Sequence, residues 1–402
     1  MRTPVPDYLA ELIEGCTDDT HGALASYIPE LAKVDPTQLA VAVCTPDGTV
    51  YSAGDADAQF TIQSISKPFA YALALRDRGL DVVLDHVGVE PSGDAFNEMS
   101  VETATGRPRN PMINIGAITT HSLVGNKALP YEARAAVLID GLSRFAGRTL
   151  DVDEAVLESE YATRYRNVAL ASMARSNDFI HVEPDEAVWG YTKQCSALVT
   201  ARDLAVMATT LAGGGKNPLT GQQVVPQWVC RQVLSVMMSC GMYDAAGDWL
   251  SQVGIPAKSG VSGGILGALP GQAGIGTFSP RLDRFGNSVR GVQLFERLSG
   301  DMGLHIMELP APSIDAIGAR DESEDGRPMI AVQGPVIFST AELVLRRFAD
   351  IPDDERDVVI DLRMVTTMNS VGKRMLAEGV RRLKLDGREV ELLLPRADFS
   401  LT

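Results

Sequence analysis

The residues best equipped for chemistry in this 402-residue chain are a serine and a lysine three positions apart, in Gln63-Ser64-Ile65-Ser66-Lys67-Pro68-Phe69. A serine hydroxyl is a poor nucleophile until a neighbouring base removes its proton, and a lysine amine can be that base only while neutral. Spacing of three on a helix puts both side chains on one face. The first turn adds free backbone N–H groups and the positive end of the helix dipole. The pairing is not rare by itself. Composition gives about one or two Ser-x-x-Lys matches in a chain this long, and Ser370 to Lys373 is a second. Read alone, Ser64 is an N-cap and Lys67 a solvated charge, so their surroundings must choose between the two matches.

The element that has to position Ser64 is a helix running on from Phe69. Phe69, Ala72, Leu73 and Leu80 recur at helical spacing, and Gly79 supplies a stop. Pro68 deep inside a helix would clash with the carbonyl four residues back, so Ser64 to Lys67 form the first turn. Upstream, helices are expected around Tyr8 to Ile13 and Gly22 to Leu31. A hairpin follows, Leu39 to Thr45 and Thr49 to Ser52 about Pro46-Asp47-Gly48.

From about Asp81 to Leu250 the pattern is helical, with no strand that can be defended. Thr200-Ala201-Arg202-Asp203 reads as a capping box for a helix ended by Gly213-Gly214-Gly215, and Pro226 opens another that Gly241 stops. After Lys258-Ser259-Gly260, strands are expected over Ala273 to Phe278 and Val289 to Phe295. Hairpin and C-terminal strands then make one antiparallel sheet with helices packed on it, an α+β domain over residues 1–308. Pro310, Pro312 and Asp321-Glu322-Ser323-Glu324-Asp325 mark residues 309–328 as a linker. Alternating strands and helices over 329–402 form a smaller α/β domain.

Apolar residues make up 45% and charged residues 22% of the chain, the balance of a globular protein with a sizeable core. A net charge of −16 repels nucleic acid and anionic membrane, so neither is expected as a partner. No apolar run reaches the length of a membrane span, and Asp7, Glu11 and Glu14 stand where a signal peptide would be hydrophobic. The expected location is the cytoplasm. Cys16, Cys44, Cys195, Cys230 and Cys240 are dispersed, and His21, His86, His121, His181 and His305 lack metal-ligand spacing. No disulfide framework, metal or cofactor is expected.

Lys258-Ser259-Gly260 favours Ser64 over Ser370. A Lys-Ser/Thr-Gly triplet opening the C-terminal strands is where the serine β-lactamase and transpeptidase architecture carries its second lysine. Residues from about Gly22 to Ile306 resemble the serine-dependent glutaminase family, which has that β-lactamase-like fold. The resemblance rests on Ala25-Ser26-Tyr27-Ile28-Pro29-Glu30-Leu31-Ala32, the Ser64 to Lys67 element, Asn110-Pro111-Met112-Ile113-Asn114 and Ser159-Glu160 with Arg166-Asn167. Tyr191 with Gln194-Cys195-Ser196, Gly241-Met242-Tyr243-Asp244 and Lys258 to Gly264 complete it.

That resemblance implies hydrolysis of L-glutamine to glutamate and ammonia, with Ser64 as nucleophile and Lys67 as base. It also implies substrate contacts from Asn114, Glu160, Asn167, Tyr191 and Tyr243, and an oxyanion donor in the backbone of Val261 beside that of Ser64. Tyr191 and Lys258 join the catalytic set. Burial and the charge of Lys258 would both lower the pKa of Lys67. Glu160 suits the substrate's α-ammonium, and the Asn and Tyr side chains its α-carboxylate. If Glu160 and Asn167 share a helix, seven residues return Asn167 to nearly the same face.

The second domain resembles the STAS family through Val358-Val359-Ile360-Asp361-Leu362-Arg363, Val365-Thr366 and Asn369-Ser370. STAS members usually extend further, so an element beyond Thr402 is expected to be missing. Its serine is phosphorylated in regulatory members. Asn369 replaces a common Asp here, and a plain helix cap is the favoured reading. The resemblance implies protein contact and a homodimer or homotetramer. Two alternatives compete: a serine D,D-peptidase or β-lactamase, and a regulatory protein whose first domain is an inert scaffold.

Overall fold

The hairpin forms as β1 (Ala40–Cys44) and β2 (Val50–Gly54), with Ala42 opposite Ser52. Its neighbours in the chain are β3 (Phe60–Thr61), β4 (Leu198–Val199), β5 (Ala257–Ser259), β6 (Gly264–Leu269) and β7 (Ala273–Phe278). One antiparallel sheet runs in the order β2-β1-β7-β6-β5, closed by both ends of the unit, while β3 and β4 pair separately. The computed structural model describes residues 5–26, 28–92, 98–308, 322–323, 326–352 and 357–395. The chain divides into two units, Met1–Glu308 and Leu309–Thr402.

Both faces of the sheet are covered, as side-chain alternation in β1 requires. Ala40, Ala42 and Cys44 join a core with Leu204, Ala205 and Ala208 of the Ala201–Ala212 helix. Val41 and Val43 enter a second core with Leu9 and Leu12 of the Val5–Glu14 helix and Leu294, Phe295 and Leu298 of the Val289–Met302 helix. The Ala201–Ala212 helix starts from the anticipated capping box, Thr200 with Asp203, and lies almost backbone-on-backbone against β7. A Cβ on Gly276 would stand 2.3 Å from Ala201 O, and one on Gly274 2.2 Å from Thr209 N.

The Lys67–Arg78 helix begins where Pro68 requires and ends at Gly79, whose φ of 82° few other residues adopt. Lys67 to Leu75 are all buried, so this is the helix at the heart of the unit. The Gln227–Cys240 helix also forms, with Val229, Val233, Val236 and Met237 buried as read.

Four expectations need correction. Gly22 to Leu31 is not a helix. Gly22 takes φ 87°, Ala23 bridges Leu282, and a proline at 29 disfavours helical backbone in the residue before it; a 3₁₀ turn follows at Leu31–Lys33. Val289 to Phe295 is helical, because the Ser288 hydroxyl caps Gly291 N at 3.2 Å and Leu294, Phe295 and Leu298 recur at helical spacing. The helical middle does contain a strand, β4, which reaches back to β3. Glu160 and Asn167 lie on separate helices, Glu154–Ala162 and Tyr165–Ser176, broken at Thr163 and Arg164.

The smaller unit alternates as read: β8 (Met329–Val336), a helix Phe338–Ala349, β9 (Asp357–Met368), a helix Ser370–Leu385 and β10 (Glu389–Leu393). The sheet runs β10-β9-β8, all parallel, over a core that includes Val332, Val344, Ile360 and Leu376. Most of the segment read as a linker, and residues 396–402, lie outside the described residues. No helix among the described residues is long and apolar enough to cross a membrane.

Because backbone cannot retreat from backbone, Gly276→Val is expected to lower unfolding free energy by about 1–3 kcal/mol or more. Chemical denaturation would show it as a fall in midpoint. A midpoint unchanged from that of the unsubstituted protein would mean the helix is not seated as described.

Candidate active site

Ser64 lies in a 3₁₀ turn, Gln63–Ser66, that feeds the Lys67–Arg78 helix, and the Lys67 N–H donates to Ser64 O. Both side chains are therefore fixed by one short run of backbone. Lys67 is completely buried. Its amine donates to Asn114 Oδ1 at 2.8 Å and to Met112 O at 3.2 Å. Both acceptors are neutral carbonyls, so burial dominates and lowers the Lys67 pKa to about 8 against a smaller opposing pull from Cys195 and Glu160. At pH 7 about one such amine in ten is neutral, roughly 300-fold more than for a lysine titrating at 10.5.

Asn114 is the hub of the site. Its Oδ1 also accepts from the Tyr191 hydroxyl at 3.3 Å, and its Nδ2 donates to Asn167 Oδ1 at 3.1 Å. Asn114 opens the Asn114–Leu123 helix, Tyr191 stands on the Pro184–Cys195 helix, and Asn167 comes from the Tyr165–Ser176 helix. Burial raises the Tyr191 phenol well above its ordinary value, so it stays a donor.

The second lysine approaches from the sheet. Lys258, on β5, is fully buried, donates to Ser259 O at 2.7 Å and sits 3.8 Å from the centre of the Tyr243 ring. The Tyr243 hydroxyl donates to Ser259 O at 3.2 Å and is hydrogen-bonded to Ser64. Tyr243 thus joins the strand lysine to the helix serine. Burial, then the charge of Lys67, drives the Lys258 pKa far below its ordinary value. Burial also pushes Tyr243 up to about 12.

Ser64, Asn114, Glu160, Asn167, Tyr191 and Val261 line one cavity of about 180 Å³. Burial raises Glu160 to about 7, opposed by a 3.4 Å hydrogen bond from Gln63 Nε2 and by the Lys67 charge. All nine residues singled out from sequence come together here: six on the cavity wall, Lys67 and Lys258 behind it, with Tyr243 between Ser64 and Lys258. The broken helix does not separate Glu160 from Asn167, since both still face the cavity.

Sequence reasoning gave no role in the site to Gln63, the Met112 carbonyl, Cys195 or the cavity-wall residues Ile28, Arg164 and Arg166. Gln63 at φ 50° and Tyr243 at φ 55° are two of three non-glycine residues with left-handed backbone among the described residues. Such a conformation costs about 1–2 kcal/mol per residue. Strain of that kind has no signature in composition. Cys195 is buried beside Tyr191 and Ser66 with its thiol pushed up to about 12, so it remains protonated. The other match, Ser370 to Lys373, sits in the smaller unit with Ser370 exposed and Asn369 Oδ1 capping Gly372 N at 2.7 Å.

Residues 22–307 match the family model described as glutaminase, and residues 320–399 match the STAS domain. The chain belongs to the glutaminase family. A glutaminase of Corynebacterium glutamicum is 50% identical over 98% of this chain and 95% of its own, and one of Corynebacterium efficiens 47% identical over 100% and 96%. The solved structure of Mglu in its glutamate form superposes with a TM-score of 0.91 at 44% identity, covering 99% of this chain and 100% of that one. A probable glutaminase from Bacillus subtilis complexed with 6-diazo-5-oxo-L-norleucine gives 0.70 at 35% identity over 76% and 98%.

If Glu160 is to meet an ammonium and Lys67 to take a proton, both groups have to be deprotonated first, Glu160 near pH 7 and Lys67 near pH 8. We expect kcat/KM to climb steeply below pH 7, with a slope of one between 7 and 8, and to level above 8. Glu160→Gln should abolish the lower step and keep the upper one. A profile flat from pH 6 to 9 would contradict both assignments.

Proposed function

We propose that the chain hydrolyses L-glutamine to L-glutamate and ammonia through an acyl-enzyme on Ser64. The observation that carries this reading is the Lys67 amine, buried, low in pKa, and held by two carbonyl oxygens. In its neutral form an amine held this way offers a lone pair to the Ser64 proton. Ser64 Oγ then bonds to the side-chain carboxamide carbon, and the backbone N–H groups of Ser64 and Val261 hold the oxyanion. Proton return from Lys67, with Tyr243 and Tyr191 as hydroxyls at hand, releases ammonia. Water, activated the same way, cleaves the ester and frees Ser64.

Selectivity for an α-amino acid follows from charge. Glu160 at the cavity wall matches the α-ammonium, whose arrival favours the ionised carboxylate and so draws Glu160 below its resting pKa. Asn114, Asn167 and Tyr191 supply polar atoms for the α-carboxylate. Lys258 supports Tyr243 from behind, its Nζ 3.8 Å from the centre of the ring.

In this reading residues 1–308 catalyse, 309–328 link, and 329–402 act as a protein-contact module within a homodimer or homotetramer of the cytoplasm. Support for contact comes from the smaller unit's exposed apolar side chains, among them Met364 at 67% and Leu385 at 69%. An acidic chain without a membrane-crossing helix among its described residues suits that setting.

Ammonia release from L-glutamine, D-glutamine and L-asparagine by the purified protein tests the assignment directly. Activity is expected on L-glutamine, lost by at least about 10³-fold in Ser64→Ala with folding retained. Glu160→Gln should raise KM about 10- to 100-fold, the worth of one charge-assisted hydrogen bond. Release of ammonia from none of the three amides would overturn the reading.

A further inference from the structure

Behind the site runs a buried polar chain that touches no cavity wall except at its end. His121 Nδ1 lies 3.0 Å from Gln194 Oε1, Gln194 Nε2 is 2.9 Å from Ser66 Oγ, and Ser66 Oγ donates to Gln63 O at 2.7 Å. Gln194 and Ser66 are fully buried and His121 is 2% exposed. The direction of the chain follows from its last link. A carbonyl only accepts, so the single Ser66 hydrogen goes to Gln63 O, and the Ser66 oxygen must accept from the Gln194 amide nitrogen. Gln194 therefore presents its oxygen to His121, which must carry its proton on Nδ1.

The other imidazole nitrogen, Nε2, is buried without a hydrogen-bond partner. It rests against Gly190, where a Cβ would lie 2.4 Å away. Gly190 and Gln194 are four apart on the Pro184–Cys195 helix, so one face of that helix both makes room for the ring and binds it. Burial keeps the ring neutral, its pKa lowered to about 4. An interior histidine, glutamine and serine are thus all committed to one backbone carbonyl. That carbonyl belongs to Gln63, the residue in left-handed backbone immediately before Ser64, whose side-chain amide also donates toward Glu160.

We propose that His121, Gln194 and Ser66 are positioning residues that hold Gln63 in its left-handed conformation, and with it the placement of Ser64 and of the carboxylate that meets the substrate's ammonium. The inference rests on the reading of Ser64 as nucleophile. None of the three residues touches substrate. They act through the Gln63 peptide, which no composition-level feature marks as part of the site.

Four measurements test it. Ser66→Ala and Gln194→Leu should each lower kcat on L-glutamine about tenfold or more, since small misplacements of a nucleophile are costly, with melting temperature followed separately. The double variant should be no worse than the poorer single one, because both cut the same chain. In a Gln63→Gly background, where positive φ is free, Ser66→Ala should cost less than twofold. Nitrogen-15 NMR of the unsubstituted protein should show His121 as the Nδ1–H tautomer, which needs no variant to fold. Single variants within twofold of the parent kcat, losses that multiply in the double, or an Nε2–H tautomer would each overturn the proposal. A parent protein inactive on glutamine would instead sink the nucleophile reading, while the tautomer would still test the chain.

Discussion

Two amines taken out of water set the terms for the rest of the larger unit. Lys67 and Lys258 are both fully buried. A charged ammonium in that setting loses its hydration, and the first to be charged makes the second harder to charge. The fold meets this with acceptors that carry no charge: Met112 O and Asn114 Oδ1 for Lys67, Ser259 O and the Tyr243 ring for Lys258. A carboxylate in either place would stabilise an ammonium and raise the pKa of the amine. Glu160 is kept where it acts on Lys67 only as a minor opposing influence.

That requirement explains why the architecture has to be so closely packed. Ser64 and Lys258 are far apart in the chain, and they meet through Tyr243 because the sheet is closed by both ends of the unit. The Lys67–Arg78 helix cannot slide without breaking the Asn114 hub, which takes hydrogen bonds from Lys67 and Tyr191 and gives one to Asn167. Four separate helices are tied to that one amide or its neighbours. Their packing is what holds the amine dry.

Much of this was legible in the chain, for identifiable reasons. Pro68 and Gly79 bracket a helix by steric rules that tertiary contacts rarely override. The capping box at Thr200 and Asp203 is local chemistry and formed as read. Where reading failed, a local signal was outweighed or hidden. Val289 and Val292 suggested a strand, yet the Ser288 cap and the 294, 295, 298 spacing were the better guide. Gly22 and Pro29 are the local signals against the helix expected there. The seven-residue spacing of Glu160 and Asn167 gave the right face for the wrong reason. Gln63 and the Met112 carbonyl could not be read at all, because one contributes a backbone conformation and the other a main-chain oxygen.

The strain at Gln63 and Tyr243 then acquires a physical rationale. Each flanks a group that must point into the cavity against the preference of its own backbone, one before Ser64 and one between Lys258 and Ser64. A left-handed residue returns to ordinary backbone unless its neighbours over-determine it. Around Gln63 the determinants are visible: Ser66 on its carbonyl, Thr61 and Glu160 on its amide. On the proposed positioning role, His121, Gln194 and Ser66 serve to hold one peptide in a conformation it would otherwise leave. An apolar core of equal volume would fold more cheaply and would leave Ser64 misplaced.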